Sequence, residues 1–382
     1  MRLLHTADWH LGRIFHARSL IDDQAHVLDQ FVSLVRELRP DAVLIAGDVY
    51  DRAVPPADAV NLLDDTLSRI VLGEGVPVVL IAGNHDSPDR LGFGARLLAP
   101  RGLTIAGRVG ARVEPLYFTD EWGKLAIYPL PYAEPAVVRD ALGAEFRDHD
   151  AALGALLDGI REHHPAGTRA VVVAHAFVAG GAESESERPL SVGGSGAVAA
   201  SRFAGFDYVA LGHLHRPQQI GSAAINYAGS PLKYSLSEID HDKSVSLVEL
   251  RSPGEIRVER IPLRSRRDLR RVKGELHALV EAGRHDPGRH DYVFASLTDK
   301  GALLEPMARL REVYPNALGC ERTVLSGIGN EGRAAPNHRE LDTSELFADF
   351  VREVTGEPLD EAARRAVDAT IEGLLREERE SA

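Results

Sequence analysis

Hydrophobic and polar positions in the first hundred residues alternate between short apolar runs and stretches with helical spacing. Turn residues such as glycine follow the apolar runs, and the stretches between them repeat apolar side chains every three or four positions. This alternation predicts right-handed crossovers and a mainly parallel sheet that helices cover on both faces. The predicted strands are 2–6, 41–47, 76–82 and 103–106, and the predicted helices are 23–38, 57–71 and 88–99.

Apolar strand patterns continue to about residue 261, with fewer helical stretches between them. A layered α/β sandwich of two packed sheets accounts for this change. The polar, glycine-rich segment 178–200 predicts a long mobile loop, and loops of that length are often functional. The further predicted strands are 125–130, 169–174, 207–211, 224–228, 244–250 and 256–261.

An arginine-rich stretch at 264–273 indicates a domain boundary. The pattern after it predicts a small α/β unit with a helix at 268–283, a strand at 291–298 and a helix at 303–313. Glycine, proline and asparagine then mark 326–340 as a linker. We therefore expect three parts, which are residues 1–263, 264–335 and 336–382.

Two amphipathic helices are predicted after the linker, and together they would form a helical hairpin. Its outer surface is acidic, and each helix carries one apolar stripe, so the hairpin cannot bury its own apolar surface. It needs either a domain of its own or a partner. The first stripe contains Leu346, Phe350 and Val354 with Phe347 and Val351 beside them, and the second contains Ala363, Val367, Ile371 and Leu374.

Composition narrows the class of protein. Apolar residues make up 44% of the 382 residues, which is enough for a core and argues against disorder. No apolar stretch approaches the roughly 18–20 residues that cross a membrane, and the first residues do not resemble a secretory signal. The single cysteine, Cys320, cannot form an internal disulfide and is expected to be a small buried residue. We therefore expect a protein of the reducing cytoplasm.

Charge is distributed unevenly along the chain. The net charge of −13 argues against a polyanion binder that relies on bulk charge. Residues 340–382 contain thirteen acidic and five basic side chains, whereas Arg257–Lys273 contains seven arginines and one lysine against two acids. These stretches are either solvated surface or a partner-binding tail and a phosphate-facing strip.

Five predicted strands end in aspartate, asparagine or histidine. Ligands of open α/β sheets bind beyond the carboxyl ends of the strands, so these side chains should share one edge. Each feature alone is weak, since a lone histidine such as His175 is more often a core residue, but the ordered combination is specific. The segments are Asp8-Trp9-His10, Gly47-Asp48-Val49-Tyr50-Asp51, Gly83-Asn84-His85-Asp86, His175 and Gly212-His213-Leu214-His215.

The donor set of these segments suits two divalent first-row metals such as Mn, Fe, Co or Zn. It has four imidazoles, two carboxylates and one amide, which is too many for one ion, and it lacks the thiolates of a structural zinc site. On an extended backbone, side chains two positions apart point the same way, so each Asp-x-His or His-x-His pair would contact one cluster. Two such metals support phosphate ester hydrolysis. The predicted ligands are Asp8, His10, Asp48, Asn84, His175, His213 and His215.

These motifs resemble, in their order, the signature of the calcineurin-like metallophosphoesterases. Within that superfamily the chain is similar to the SbcD-type bacterial nuclease subunits, relatives of the archaeal and eukaryotic Mre nucleases. The resemblance is strong over residues 1–260. After residue 260, only the layout of the chain is similar. It implies a four-layer sandwich of two mixed sheets flanked by helices. The motifs are Leu4–Gly12, Gly47–Asp51, Gly83–Ser87, Leu211–His215, Tyr227–Leu232 and Lys243-Ser244-Val245.

The resemblance also implies roles for individual residues. Asp8, His10, Asp48 and His215 would hold a first manganese ion, and Asn84, His175 and His213 would complete a second that shares Asp48. His85 would contact the scissile phosphate and protonate the leaving oxygen, or else only support a neighbouring ligand. Asp51 stands where some relatives carry histidine, so it would face the substrate or support the ligands.

Partners are implied in the same way. SbcD-type proteins form homodimers, here through helices 57–71 and 88–99, whose apolar stripe contains Val60, Leu63, Leu67 and Ile70. The part at 264–335 would be a capping domain that faces DNA. Residues 340–382 would dock on an SbcC-type ATPase and so cover the apolar stripes.

The resemblance predicts a manganese-dependent DNA nuclease of the nucleoid that trims double-strand ends and cuts single strands or hairpins. A protein phosphatase or cyclic-nucleotide phosphodiesterase is the second interpretation. Against it, protein phosphatases usually have Gly-Asp-x-x-Asp-Arg-Gly and Gly-Asn-His-Glu, whereas this chain has Ala53 and Asp86 at the differing positions. A third interpretation is a DNA-end scaffold on an inactive fold, but degenerate members typically lose ligands, and here all seven are present.

Overall fold

A computed structural model describes residues 1–187, 196–300, 302–323, 344–345, 347–348, 351–352 and 358–380. The chain divides into two compact units, Met1–Asp268 and Leu269–Ala382. Their boundary falls inside the arginine-rich stretch, and the predicted division into three parts stays a prediction. The described helices are all too short or too polar to cross a lipid bilayer.

The first unit contains two six-stranded mixed sheets. In the order in which the strands lie side by side, the first sheet is β16-β15-β1-β4-β5-β6, and the second is β13-β14-β12-β9-β8-β7. The strands of the first sheet are β1 Arg2–Thr6, β4 Ala42–Ala46, β5 Val78–Ile81, β6 Leu103–Ala106, β15 Ser244–Leu250 and β16 Ile256–Pro262. Those of the second are β7 Leu116–Asp120, β8 Gly123–Leu130, β9 Arg169–His175, β12 Tyr208–Gly212, β13 Gln218–Gln219 and β14 Ile225–Tyr227.

Parallel pairing runs through the middle of each sheet, from β1 through β4 and β5 to β6 and from β8 through β9 and β12 to β14. The edge pairs with β15, β16, β7 and β13 are antiparallel. Leu44 and Ile81 of the first sheet share one buried cluster with Val171 and Ala210 of the second. The two sheets therefore pack face to face, which confirms the predicted sandwich.

The helices of the first unit cover this sandwich. The helix α6 buries Leu153, Leu157 and Ile160 in a cluster with Val172 of the second sheet. The buried stripe of α1 repeats at helical spacing through Val27, Phe31 and Val35. The helices are α1 Ile21–Leu38, α2 Ala57–Ser68, α3 Pro88–Leu91, α4 Ala95–Leu98, α5 Pro135–Leu142 and α6 His149–His163. Short pairs β2 Ile14–Phe15 with β3 Arg18–Ser19, and β10 Phe177–Val178 with β11 Ala197–Val198, complete the unit.

The second unit contains a three-stranded parallel sheet in the order β17-β18-β19. Leu279 and Val280 of one helix and Leu310 of another pack with Val293 of the middle strand. Its elements are β17 Leu269–Gly274, α7 Leu276–Gly283, β18 Tyr292–Leu297, α8 Pro306–Val313, β19 Ala317–Arg322 and α9 Glu361–Glu380. Cys320 lies on the last strand and is partly buried.

Two predicted helices are wrong in part. Residues 269–274 of the predicted helix 268–283 form β17, because they pair with β18 along their full length. The predicted helix 88–99 is two single turns, since Gly92 ends the first and Gly94, at φ 73°, precedes the second. Residues 188–195 of the predicted loop 178–200, the linker at 326–340, and Leu346, Phe350 and Val354 lie outside the described residues.

Candidate metal centre

The predicted ligands follow the carboxyl ends of five strands. Asp8 and His10 follow β1, Asp48 follows β4, and Asn84 follows β5, and these three strands are parallel neighbours. The last residue of β9 is His175, and His213 and His215 follow its parallel neighbour β12. Because carboxyl ends of parallel strands share an edge, both sheets deliver donors to the same edge of the sandwich.

Four of these residues adopt backbone conformations that only glycine adopts readily. The φ angles are 55° at Asp8, 46° at His10, 47° at Asp48 and 110° at His213. The expectation that the Asp-x-His and His-x-His pairs lie on extended backbone is therefore wrong. The chain turns sharply as it leaves each strand, and conformations of this kind are concentrated at functional sites.

The side chains form two adjacent clusters. Ligand atoms of Asp8, His10 and His215 all lie within 4.8 Å of one another, and so do those of Asp48, His175 and His213. The structure thus separates His213 from His215, in contrast to the expectation from an extended backbone but in line with the two ligand sets that the resemblance implied.

Asn84 and Asp48 connect the donors. Asn84 Oδ1 lies 2.8 Å from His175 Nε2 and 3.2 Å from His213 Nδ1, so it belongs with the second cluster. Asp48 Oδ2 lies 3.4 Å from His175 Nε2 and 3.7 Å from His10 Nε2. Asp48 therefore lies between the two clusters.

The donors fit divalent cations. Asp8 Oδ2 and His10 Nδ1 are buried and have no hydrogen-bond partner among the described residues, and such groups are rare unless they bind something. His10 Nε2 and His215 Nε2 face each other at 3.1 Å. Imidazole, carboxylate and amide donors without thiolate match the first-row metals predicted from the sequence.

Electrostatics concentrates negative charge on Asp48. Burial raises the pKa of Asp8 well above its usual value. Burial alone would do the same to Asp48, but the nearby imidazoles, chiefly His175, hold its pKa well below the usual value. Burial opposes charge on His175, yet Asp48 and Asp8 raise the pKa of that imidazole to about 9. Without a cation, His175 and Asp48 therefore form an ion pair.

This ion pair predicts that metal binding releases a proton. The pKa of His175 lies above the usual 6.5, so the ion pair contributes to stability fully below about 6.5 and is lost as the pH rises through about 9. A metal ligand must be deprotonated, so cation affinity should rise roughly tenfold per pH unit within this window. Calorimetric titration of chelator-stripped protein with Mn²⁺, in buffers of different ionisation enthalpy, should show at least about one proton released at pH 7.5. Proton release of zero at pH 7.5 would contradict the ion pair.

His85 faces the centre through one nitrogen. Its backbone N–H donates to Asp48 Oδ1 at 2.8 Å. Its Nδ1 lies 2.8 Å from the Asp51 carbonyl oxygen, which can only accept, so Nδ1 carries a hydrogen. Its Nε2 lies 4.0 Å from Asp48 Oδ2. The ring is buried, and Nε2 is the nitrogen left for chemistry.

Asp51 lies at the edge of the centre. Its Oδ1 accepts a hydrogen bond from Arg13 Nη1 at 2.9 Å and lies 3.7 Å from His10 Nδ1. Ligand atoms of Asp51, His10 and His85 also lie within 4.8 Å of one another. The structure thus places both predicted catalytic residues against the first cluster.

Sequence reasoning missed the carboxylates that support the ligands. Asp86 accepts backbone N–H groups of Val49, Tyr50 and Gly83, which fixes the turns that carry Asp48 and Asn84. Burial and the charge of Asp48 raise the pKa of Asp86 to about 6. Asp86 belongs to the Gly-Asn-His-Asp motif, so its position in the sequence could have indicated a role at the centre.

Two glutamates contact His215. Glu187 accepts its backbone N–H at 2.6 Å, and burial raises the pKa of Glu187 to about 7. Glu238 Oε1 lies 3.3 Å from His215 Nδ1. Burial opposes charge on Glu238, but His215 and Lys243 hold its pKa well below the usual value. Nothing in the sequence pattern marks either glutamate.

The two sheets meet at this edge with backbone against backbone. A Cβ on Gly212, in the second sheet, would lie 1.9 Å from the carbonyl oxygen of Ala46 in the first. A Cβ on Gly83 would lie 2.2 Å from Asp48 Oδ1. No side chain fits at either position, and this close approach brings His175 to Asp48.

Comparison with known proteins gives matches along almost the whole chain. Residues 1–217 match the family model described as calcineurin-like phosphoesterase. Residues 265–355 match a model described as type 5 capsule protein repressor C-terminal domain. The chain is 32% identical to the SbcD subunit of the SbcCD nuclease of Staphylococcus saprophyticus over 380 residues, which cover 99% of each chain.

Two solved structures are more distant. One is a dimetal phosphatase from Danio rerio, 14% identical with a TM-score of 0.40, and the match covers 69% of this chain and 96% of that one. The other is GAP50, described as the anchor in the inner membrane complex of Plasmodium, also 14% identical with a TM-score of 0.40, covering 69% of this chain and 89% of that one.

Proposed function

Because the chain belongs to the calcineurin-like phosphoesterases, and within them to the family of the SbcD subunit of the SbcCD nuclease, we propose that it is a metal-dependent DNA nuclease. The convergence of seven metal-type donors from five strand ends carries this proposal. The resemblance seen in the sequence motifs is confirmed. Manganese, cleavage of double-strand ends, hairpins and single strands, and a site of action at the nucleoid are the finer parts of the proposal.

We propose that the donors divide into the two ligand sets that the resemblance implies. Two divalent ions would activate a water molecule and neutralise charge on the scissile phosphate. The chain's own contribution is to hold Asp48 ionised between the sets and to bury six of the seven donors, all but the half-buried Asn84, which strengthens the interactions there. Asp8, His10, Asp48 and His215 would hold one ion, and Asp48, Asn84, His175 and His213 the other.

We propose His85 as the proton donor. Its Nδ1 hydrogen is committed to the Asp51 carbonyl, so the proton that moves is the one on Nε2. That proton would go to the oxygen that leaves phosphorus as the phosphodiester is cleaved. Asp51 would orient His85 through its backbone and, with Arg13, close one side of the centre.

Cleavage assays test the function directly. Pure protein with Mn²⁺, alone and with its ATPase partner, should degrade an end-labelled duplex and open a hairpin, and EDTA should stop both. A phosphopeptide is the control substrate. If the protein hydrolyses the phosphopeptide and leaves DNA uncleaved, it acts as a protein phosphatase. If it binds two metals and cleaves neither substrate, the scaffold interpretation is favoured.

We propose an SbcC-type ATPase as the partner of residues 340–382, by analogy with the named complex of the relative. Ala363, Val367 and Ile371 of α9 are half-buried at a spacing of four residues, as expected for one face of a helix. The acidic composition of this tail would direct it to a basic surface on the partner.

We also propose a homodimer through α2, α3 and α4, the elements of the predicted helices 57–71 and 88–99. Leu63, Leu67 and Ile70 of the predicted stripe are buried within the chain itself, whereas Val60 is 43% exposed. The turns around α4 add Phe93 at 85% exposure and Leu97 at 82%. Exposed apolar side chains on one segment are typical of an interface.

Replacing Leu97 by glutamate should convert this dimer into a monomer, because it places a charge among the exposed apolar side chains of the proposed interface. Light scattering coupled to gel filtration measures the mass. Leu304→Glu, in the second unit, is the matched control because Leu304 is also 82% exposed. A dimer that persists in Leu97→Glu would place the interface elsewhere.

A further inference from the structure

A chain of buried polar side chains supports the imidazole of His215. Its Nδ1 lies 2.7 Å from Ser186 Oγ, and Ser186 Oγ is hydrogen-bonded in turn to Glu238 Oε1. The opposite nitrogen, Nε2, faces His10 in the first metal cluster. Glu238 is fully buried and lies in a single 3₁₀ turn, Leu236–Glu238.

The two hydrogen bonds of Ser186 allow one placement of the hydrogen atoms on Ser186 and His215. An ionised carboxylate only accepts, so the Ser186 hydroxyl must donate its single hydrogen to Glu238. Ser186 Oγ must then accept from His215, so the imidazole hydrogen is on Nδ1. A neutral imidazole with its hydrogen on Nδ1 has its lone pair on Nε2, which is the nitrogen directed at the cluster.

Lys243 fixes the position of these hydrogen-bonded side chains. Its ammonium lies 2.6 Å from Glu238 Oε2, 2.9 Å from the His215 carbonyl oxygen and 2.8 Å from Ser230 Oγ. The buried Lys243 ammonium therefore fixes both the main chain of His215 and the Glu238 carboxylate behind its ring. Ser230 and Lys243 belong to the motifs 227–232 and 243–245, which the proposed mechanism does not use.

We propose that Glu238 and Lys243 are positioning residues that act through Ser186 to fix the tautomer and orientation of His215. The inference rests on the proposed metal centre. It assigns a role to the motifs around Ser230 and Lys243. They hold the His215 imidazole in the correct orientation and tautomer before a metal ion binds. Loss of such supporting contacts typically weakens metal binding or activity 10- to 100-fold.

The main test is the double variant Glu238→Gln/Lys243→Met, which removes both charges and nearly keeps both shapes. In the full chain, calorimetry should show one Mn²⁺ bound roughly 10- to 100-fold more weakly and the other unchanged. Nitrogen-15 NMR of histidine-labelled, metal-stripped protein reads the tautomer independently of metal and substrate. The His215 signals, assigned by their loss in His215→Gln, should change from one tautomer to a mixture.

Two further variants guard the interpretation. Ser186→Ala keeps both buried charges, so it should fold even where the double variant does not, and it should weaken the same Mn²⁺ site. Its tautomer can persist, because His215 Nδ1 also lies 3.3 Å from Glu238 Oε1. Glu249→Gln is the control, because Glu249 lies on β15 in a surface ion pair with Arg2 and should behave as wild type.

Unchanged tautomer and unchanged metal affinity in a folded double variant, or unchanged metal affinity in Ser186→Ala, would overturn the inference. A wild-type protein that binds no second metal would instead contradict the proposed function. In that case the NMR readout on stripped protein still decides the positioning role, so the two failures are distinguishable.

Discussion

Replacing Asp48 by asparagine should abolish DNA cleavage and remove both metals. Asp48 lies between the two clusters, within 4.0 Å of His10, His85 and His175, and its low pKa makes it the main fixed negative charge of the centre. Asparagine keeps the shape but removes this charge from a buried site where it acts strongly. We expect kcat to fall by more than about 10³-fold.

The measurement pairs cleavage rates with metal content by mass spectrometry. Asp65→Asn is the matched control, since Asp65 lies on α2 with its side chain 62% exposed and should keep full activity. Retention of two metals and of activity within tenfold of wild type by Asp48→Asn would show that the clusters do not share this carboxylate.

Replacing His85 by alanine should separate metal binding from chemistry. His85 lies outside the two clusters built on Asp8 and Asp48, so the variant should keep both metals. It loses the only nitrogen that the proposed mechanism assigns to proton transfer, and such a loss costs roughly 10²- to 10⁴-fold in rate. Single-turnover cleavage of a duplex measures the chemical step.

A second substrate identifies the role of His85. A p-nitrophenyl phosphodiester has a leaving group that needs no proton, so its hydrolysis should fall far less than that of DNA. Equal losses on both substrates would mean that His85 binds the phosphate or supports a ligand, which is the other interpretation of this residue. Loss of metal in the variant would give it a ligand role.

The sequence allowed much of the sandwich and its edge to be predicted, for a physical reason. Strands of mainly parallel sheets are buried on both faces, so they appear as apolar runs such as 41–47 and 169–174. Polar residues directly after such runs must lie at the carboxyl edge. The positions of Asp8, Asp48 and His175 follow from these two facts without knowledge of any contact.

Predictions failed where long-range pairing decides the local structure. The two apolar residues of the segment 269–274, Leu269 and Val272, are three positions apart, which fits a helix, and pairing with β18 makes the segment a strand instead. Helices α5 and α6 were missed because the strand signals around them are stronger. The contact of Glu238 with His215 joins positions 23 residues apart, and no periodicity records it.

The glycines at the metal edge allow the backbones to approach each other closely beside the site. The spacing between Asp48 and His175, which come from different sheets, is set by the absence of side chains at Gly83 and Gly212. A Cβ at position 212 would lie 1.9 Å from the Ala46 carbonyl oxygen, so the two backbones would have to separate before any side chain could be accommodated there. Metal affinity therefore depends on positions that donate nothing to the metal.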